Sequence, residues 1–166
     1  MSGFTLIECL ISILVAIILA CIAIPSVTYL NESSKLETLS ISLMKEMVQT
    51  RNLAVNYAET ITICLSEASG YCSINSMNRL ISFVDINKNQ RHEANEENIF
   101  SDNINNTSKL SIRSNRLAYI FQPDGTVAGT PGTIRICSEY THQGMEIVTA
   151  MSGRVRMQKT ECPAEP

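Results

Sequence analysis

The chain has 166 residues, which is enough for one folded core beyond a membrane helix but not for two sizeable domains. It contains 13 Lys and Arg residues against 16 Asp and Glu residues, and this balance gives no indication of nucleic-acid binding by the chain as a whole. The charge is uneven, because residues 31–103 contain 6 basic and 10 acidic groups whereas residues 104–166 contain 7 basic and 5 acidic groups.

The chain begins with an apolar segment that contains a single charge. Residues 3–24 are almost entirely apolar and stop at Pro25, and about 20 such residues cross a bilayer as one helix. Glu8 is anomalous there, because a carboxylate inside hydrocarbon is costly unless a cation pairs with it, and the neighbouring sequence supplies none. A secretory signal peptide is disfavoured because the first residues are not basic, and a plain signal anchor leaves Glu8 unexplained.

The hexapeptide Gly-Phe-Thr-Leu-Ile-Glu at residues 3–8 resembles the class III signal of type IV pilins and type II secretion pseudopilins. The resemblance implies that a prepilin peptidase cleaves after Gly3 and N-methylates Phe4. It also implies that Glu8 pairs with the terminal amine of a neighbouring subunit during filament assembly, and that Pro25 is the proline usual in the filament-embedded helix. The implied partners are other pilins, the peptidase and the inner membrane, which the chain crosses once, with a periplasmic domain that is later incorporated into the extracellular pilus.

Beyond Pro25 the sequence predicts a continued helix of different character, which ends near Tyr57. Apolar residues recur there at three- and four-residue spacing with charged residues between them, which is an amphipathic pattern. They are Leu36, Leu39, Leu43 and Met47. We therefore divide the chain into a leader at 1–3, a transmembrane and assembly half of the helix at 4–30, an amphipathic half at 31–58 and a β-rich periplasmic domain at 59–166.

The part after the helix shows the alternation typical of β-strands, beginning at Ile61–Leu65. Further strands are predicted at Leu80–Val84, Leu110–Ile112, Leu117–Phe121, Thr133–Cys137, Met145–Thr149 and Arg154–Met157. Residues 87–108 are rich in Asn and charges and predict a long loop with Ile99 and Phe100 as its apolar contact. The predicted fold is α+β and pilin-like, with one long N-terminal helix packed on an antiparallel β-sheet.

The 6 cysteines indicate two environments. Cys9 and Cys21 lie in the apolar segment, where they behave as small apolar residues and stay unpaired. The other four permit three pairings, and we favour the one that joins nearest neighbours and closes loops of modest length. It consists of Cys64–Cys72 and Cys137–Cys162. A zinc site is the alternative, but there is no Cys-x-x-Cys motif, and disulfides are typical of periplasmic domains.

The segment after Val84 has the oxygen spacing of a calcium loop, in which positions 1, 3, 5 and 12 supply ligands. These positions are Asp85, Asn87, Asn89 and Glu96. Position 6 is Gln90 instead of glycine, and neither flank is predicted to be helical. A polar loop whose side chains bond their own backbone is the favoured interpretation, calcium is the alternative, and no cofactor is expected.

Motifs in the second half extend the resemblance to minor pilins and pseudopilins of the GspH/FimT type. They are residues 83–87, Phe121 followed by Gly125, residues 132–137 and Gly153-Arg154-Val155-Arg156. They imply a minor subunit that acts in pilus assembly or initiation, in the tip complex. The paired cysteines fit the FimU and FimT pilus branch better than the type II secretion branch, which is the alternative.

Arg154 and Arg156 are two residues apart in a predicted strand, so both project from one side about 7 Å apart. FimT-type minor pilins are described as taking up DNA through a Gly-Arg-x-Arg element, so the resemblance implies DNA binding as an alternative function, with Lys159 and Arg135 widening the patch. Two other interpretations are that the arginines dock another subunit, or that they form a charged edge that prevents strand pairing. Docking is favoured because no aromatic residues for base stacking accompany the arginines.

Catalysis is not predicted. The sequence contains no Gly-x-Ser-x-Gly motif, no phosphate-binding loop and no histidine placed beside a plausible nucleophile. An anchored periplasmic hydrolase would need a pocket around His142, and the sequence does not indicate one.

Overall fold

One long helix begins the described part of the chain. The structure is a computed structural model that describes residues 5–66, 71–74, 79–87, 89–93, 95–104, 110–129 and 131–162. Helix α1 (Leu6–Tyr57) has 52 residues and continues through Pro25. It ends where Ala58 adopts the left-handed conformation (φ 56°) and donates its N–H to the Ala54 carbonyl. The predicted helix end near Tyr57 is confirmed.

The second half of α1 packs through a single stripe, whose buried residues recur every three or four positions. They are Leu36, Ser40, Leu43, Met47, Thr50 and Ala54. Of the predicted stripe, only Leu39 is partly buried, and it packs against the same core. Burial of one Leu or Met side chain contributes about 1.5–3 kcal/mol, so the stripe fixes this half of the helix on the β-domain.

The described residues after the helix form eight strands. They are β1 (Ile61–Ser66), β2 (Arg79–Val84), β3 (Asn98–Asn103), β4 (Leu110–Ser114), β5 (Tyr119–Phe121), β6 (Gly132–Ser138), β7 (Gln143–Thr149) and β8 (Val155–Glu161). They make two antiparallel four-stranded sheets, ordered β3-β2-β1-β5 and β4-β6-β7-β8, and α1 contacts strands of both. The predicted α+β fold is confirmed, with the strands divided between two sheets.

Strand β3 corrects the predicted loop over residues 87–108. Asn98–Asn103 pairs with β2, and Phe100 lies opposite Ser82. The strand forms because the edge of β2 presents backbone groups that need partners, while Ile99 and Phe100 pack against the core. Its Asn- and Asp-rich sequence has a low β propensity, which is why the local pattern did not predict it.

The main core lies between α1 and the inner faces of the two sheets. In β6, Ile134 and Ile136 are buried while Arg135 between them is exposed, and Ile147 in β7 is buried beside them. All six residues of β1 are buried, because Cys64 belongs to a second, smaller cluster on the opposite face of that sheet. The β4-β6-β7-β8 sheet therefore leaves its outer face to polar residues.

Candidate functional site

The start of α1 is a capping box formed by Thr5 and Glu8. The Glu8 carboxylate accepts hydrogen bonds from the Thr5 backbone N–H (3.0 Å) and hydroxyl (2.9 Å), and the Glu8 N–H donates to the Thr5 hydroxyl (3.4 Å). Sequence reasoning missed this local role, which the Thr-x-x-Glu spacing indicates. Glu8 is exposed, and no cation among the described residues pairs with it. The predicted cleavage site, Gly3 and Phe4, lies outside the described residues.

The first half of α1 leaves its apolar surface uncovered by the described chain. Its large apolar side chains are exposed from Leu6 to Leu30, and it is long and apolar enough to cross a membrane. Cys9 and Cys21 are free thiols on the same surface, as predicted. Pro25 lacks the N–H that would bond the carbonyl four residues earlier, and the Thr28 hydroxyl donates to the Ile24 and Pro25 carbonyls (3.2 and 2.9 Å). This surface needs lipid or other subunits to cover it.

Two disulfides fasten the β-domain in the predicted pairing. They are Cys64–Cys72 and Cys137–Cys162, with Cα atoms 5.5 and 5.7 Å apart. The first joins β1 to the segment after it, and the second joins β6 to the end of β8. Both bonds indicate folding in an oxidising compartment.

Arg154 directly precedes β8 and Arg156 is its second residue, and β8 is an edge strand of the second sheet. Both side chains are exposed, whereas Val155 and Met157 pack against the core, so the predicted alternation holds. The described part of the chain gives neither arginine side chain a hydrogen bond or an ion pair. Lys159 shares the phase of Val155 and Met157 in the strand, so it does not extend the pair as the sequence suggested.

Arg135 is also removed from that patch, because it is bound to Glu146 on the neighbouring strand. Its Nε and Nη2 atoms donate to Glu146 Oε1 at 2.9 and 2.6 Å, and Gln158 donates to Oε2 at 2.9 Å. The Gln158 hydrogen bond, and then those from Arg135, lower the pKa of Glu146 below its usual range. Arg154 and Arg156 therefore form a smaller cationic site than expected.

A glycine contact positions these arginines, and sequence reasoning missed it. Gly153 has a φ of +73°, and Arg51 on α1 donates from Nε to the Gly125 carbonyl at 2.8 Å. A β-carbon on Gly153 would lie 1.8 Å from that same carbonyl oxygen. The turn before Arg154 is thus held against both α1 and the Gly125 turn.

The predicted calcium residues form a loop bonded to its own backbone, which was the favoured interpretation. Asp85 is buried and accepts from the Asn89 and Gln90 N–H groups (3.0 and 3.1 Å) and from the Thr62 hydroxyl (2.9 Å). Asn87 and Asn89 accept similar backbone bonds. Glu96 Oε2 accepts from the Glu93 N–H, and its Oε1 has no hydrogen-bond partner among the residues that the structure describes. Among the described residues, no group of three or more His, Cys, Asp or Glu side chains is placed to hold a metal ion.

A cavity of about 690 Å³ lies on the outer face of the second sheet, with Arg135, Glu146 and His142 in its lining. A cavity beside His142 was not expected from the sequence. In the described part of the chain the His142 imidazole has no hydrogen bond to a serine, a cysteine or a carboxylate.

Comparisons with known proteins agree with this architecture. The family model described as type II transport protein GspH matches residues 42–153. The crystal structure of the Pseudomonas aeruginosa (strain PAO1) type IV minor pilin FimU aligns with a TM-score of 0.59 at 15% identity, covering 78% of this chain and 92% of that one. The minor pseudopilin EpsH from the type 2 secretion system of Vibrio cholerae aligns with a TM-score of 0.53 at 11% identity, covering 79% and 99%.

At these identities the structural likenesses show the fold alone. No curated protein has a significant sequence match to this chain. The family model, however, spans more than half of the chain and ends at Gly153. Together with the long exposed helix and the two-sheet domain, this match shows that the protein belongs to the GspH family of type IV minor pilins and pseudopilins.

Proposed function

We propose that the protein is a minor pilin of a type IV pilus that acts in pilus assembly or initiation, at the tip complex. The prepilin peptidase cleaves after Gly3 and methylates Phe4, and α1 holds the product in the inner membrane with its β-domain in the periplasm. The subunit then enters the filament together with other pilins. Its role is structural, and no catalysis is assigned to it.

The first half of α1 supports this proposal most strongly. A helix of 52 residues leaves its large apolar side chains exposed from Leu6 to Leu30 and places one carboxylate, Glu8, at its start. In hydrocarbon or in a filament core, that carboxylate is stable only beside a cation. The methylated amine of a neighbouring Phe4 is such a cation, so Glu8 sets the axial position at which subunits stack.

Replacement of Glu8 by Val tests this role. The variant should remain in the membrane, because the change removes a charge from an apolar helix, but sheared pili should contain much less of it. Glu37→Gln is the matched control, since Glu37 is exposed on the same helix beyond the apolar segment. Normal recovery of Glu8→Val in sheared pili would contradict the proposal.

A DNA-binding function in natural transformation is the second candidate. It is favoured by one observation: Arg154 and Arg156 are exposed on one side of edge strand β8 and no described residue neutralises them. Two guanidinium groups about 7 Å apart match the spacing of successive phosphates along one strand. The limited size of the pair, with Arg135 bound to Glu146, is why we place this function second.

Binding of duplex DNA over a salt series distinguishes the two functions. DNA binding through this strand predicts an affinity that falls with salt and is lost in Arg154→Ala/Arg156→Ala. Lys45→Ala/Arg91→Ala removes the same charge from two other exposed positions and should leave the affinity almost unchanged. Equal losses in both double variants would indicate non-specific attraction only, and an absence of binding at low salt would leave the assembly role alone.

The type II secretion branch is the remaining alternative. The two disulfides favour the pilus branch, as the resemblance in the sequence implied. Deletion of the gene should reduce surface pili while leaving the secretion of folded exoproteins intact. The opposite result would place the protein in a secretion pseudopilus.

A further inference from the structure

The turn between β6 and β7, residues 139–142, meets α1 where the apolar segment ends. Gln143, the first residue of β7, donates from Nε2 to the Tyr29 hydroxyl at 2.8 Å and accepts from the Ser33 hydroxyl at 3.3 Å. The Tyr140 and Thr28 hydroxyls are 3.3 Å apart. These contacts join parts of the chain more than 100 residues apart, so the turn has a fixed height on the helix.

The turn is also rigidly supported from the sheet. The His142 N–H donates to the Ser138 carbonyl at 3.0 Å, and the His142 carbonyl accepts from the Cys162 N–H at 3.2 Å. The Cys137–Cys162 disulfide lies directly behind these bonds. A turn held by a disulfide and by two strands has a fixed position relative to the sheet.

The position of this contact along α1 corresponds to a membrane surface when the helix spans a bilayer. Leu30 is the last exposed large apolar residue of the first half of α1, and Asn31 and Glu32 follow it. A hydrocarbon layer of about 30 Å needs about 20 helical residues at 1.5 Å each, so a helix that enters it near Thr5 leaves it near Pro25. A headgroup layer of about 5–7.5 Å on the far side then spans residues 26–30, which include Thr28 and Tyr29.

Two tyrosines are exposed at this level. The accessible fraction is 42% for Tyr29 and 51% for Tyr140. Tyrosine is enriched at membrane–water interfaces, because its ring is apolar and its hydroxyl is polar. Both side chains keep about half of their surface accessible at this level.

We propose that the β6–β7 turn is a membrane-contact element, in which Tyr140 and Tyr29 lie together in the headgroup layer of a zwitterionic phospholipid bilayer. The contact fixes the height and tilt of the β-domain above the membrane before the subunit enters a filament. The inference rests on the proposed function only in that α1 spans the membrane. Glu139 is exposed at the tip of the turn, which disfavours a strongly anionic surface.

Tryptophan fluorescence of the full chain in vesicles tests this directly. The chain contains no tryptophan, so a single substitution gives a single emitter. Tyr140→Trp is compared with Tyr57→Trp, whose parent side chain is 60% exposed and lies about 42 Å beyond Tyr29 along the helix at 1.5 Å per residue. The vesicles are phosphatidylcholine, brominated near the headgroup end of the acyl chains for the two tyrosine positions and near the middle of the bilayer for a control inside the membrane. The contact predicts several-fold stronger quenching for Tyr140→Trp than for Tyr57→Trp.

A third variant, Ile18→Trp, separates failure of the inference from failure of membrane anchoring. If Ile18→Trp is quenched and Tyr140→Trp is not, the turn does not touch the bilayer and the inference is wrong. If Ile18→Trp is not quenched, the helix is not inserted, and the anchoring itself fails. Hydroxyl-radical labelling of the unmodified chain in the same vesicles gives a readout without mutation, since Tyr140 should react several-fold more slowly than Tyr57. Equal rates would overturn the inference.

Discussion

Gly153 and Gly125 approach so closely that a β-carbon on Gly153 would lie 1.8 Å from the Gly125 carbonyl oxygen. The same oxygen accepts the Arg51 Nε bond from α1 at 2.8 Å. One point of contact therefore joins the helix, the turn before Val127 and the turn between β7 and β8. Because Arg154 follows Gly153 directly, this contact also fixes the position of the exposed Arg154 and Arg156 side chains on the domain.

Gly153→Ala should destabilise the β-domain strongly. A positive φ costs a residue with a β-carbon about 1–2 kcal/mol, and the overlap with the Gly125 carbonyl adds about 1–3 kcal/mol of overpacking. Gly129→Ala is the control, because Gly129 also has a positive φ (95°) but an added β-carbon meets nothing within 4 Å. Urea unfolding of residues 32–166 is suitable, since the buried stripe begins only at Leu36. Equal losses of unfolding free energy in Gly153→Ala and Gly129→Ala would contradict the stabilising role of the contact between Gly153 and Gly125.

The sequence predicted those features that depend on local periodicity. The stripe around Leu43 and Met47, the helix end at Tyr57 and the alternation of Arg154 and Arg156 are examples. Apart from the two disulfides, features that depend on register or on distant contacts were not predictable. Arg135 meets Glu146 only because β6 and β7 pair in one register.

Other contacts between distant segments could not be predicted from the sequence for the same reason. Gly153 and Gly125 are far apart in the sequence, as are Gln143 and Tyr29. Strand β3 forms on the edge of β2 although its own residues have a low β propensity. No local pattern in a single sequence reports such a pairing.

Glu146 should make stability depend on acid pH. Hydrogen bonds from Gln158 and Arg135 lower its pKa in the folded state below the reference value of 4.5. Its stabilising contribution is therefore complete above the unfolded pKa and is lost as the pH falls through the folded pKa. Because Arg135 is about half exposed, we expect Glu146→Gln to cost less than about 1 kcal/mol at pH 7.

Urea midpoints at neutral pH and below the reference pKa test this expectation. The wild type should have a higher urea midpoint than Glu146→Gln at neutral pH, and this difference should shrink as the pH falls. Gln158→Ala removes the hydrogen bond that lowers the pKa of Glu146 most. The pH dependence of its urea midpoint should therefore lie between those of the wild type and Glu146→Gln. A difference in urea midpoint that grows as the pH falls would contradict this expectation.

The two disulfides should contribute unequally. In the chain-entropy model, a cross-link over 25 residues stabilises by about 3.5 kcal/mol and one over 8 residues by about 2.5 kcal/mol. Cys137→Ser/Cys162→Ser should therefore shift the urea midpoint more than Cys64→Ser/Cys72→Ser does. Cys9→Ser/Cys21→Ser in the full chain is the control and should leave β-domain stability unchanged. A larger loss from the shorter loop would show that burial of Cys64 outweighs loop entropy.

The Asp85 loop should fold without calcium. Its carboxylate already accepts three hydrogen bonds from the protein, so a metal ion would have to displace them. Calorimetric titration with millimolar calcium should give no binding heat and no change in melting temperature. Binding heat that disappears in Glu96→Gln would instead support the calcium hypothesis.

The most direct test of the central claim is the intact mass of the protein recovered from sheared filaments. The account predicts a chain that begins at N-methylated Phe4, with Met1 to Gly3 removed and both disulfides formed. A chain that still begins at Met1, or one cut near residues 20–23 by signal peptidase, would contradict it. Presence of the processed form in the filament fraction would establish the protein as a pilus subunit.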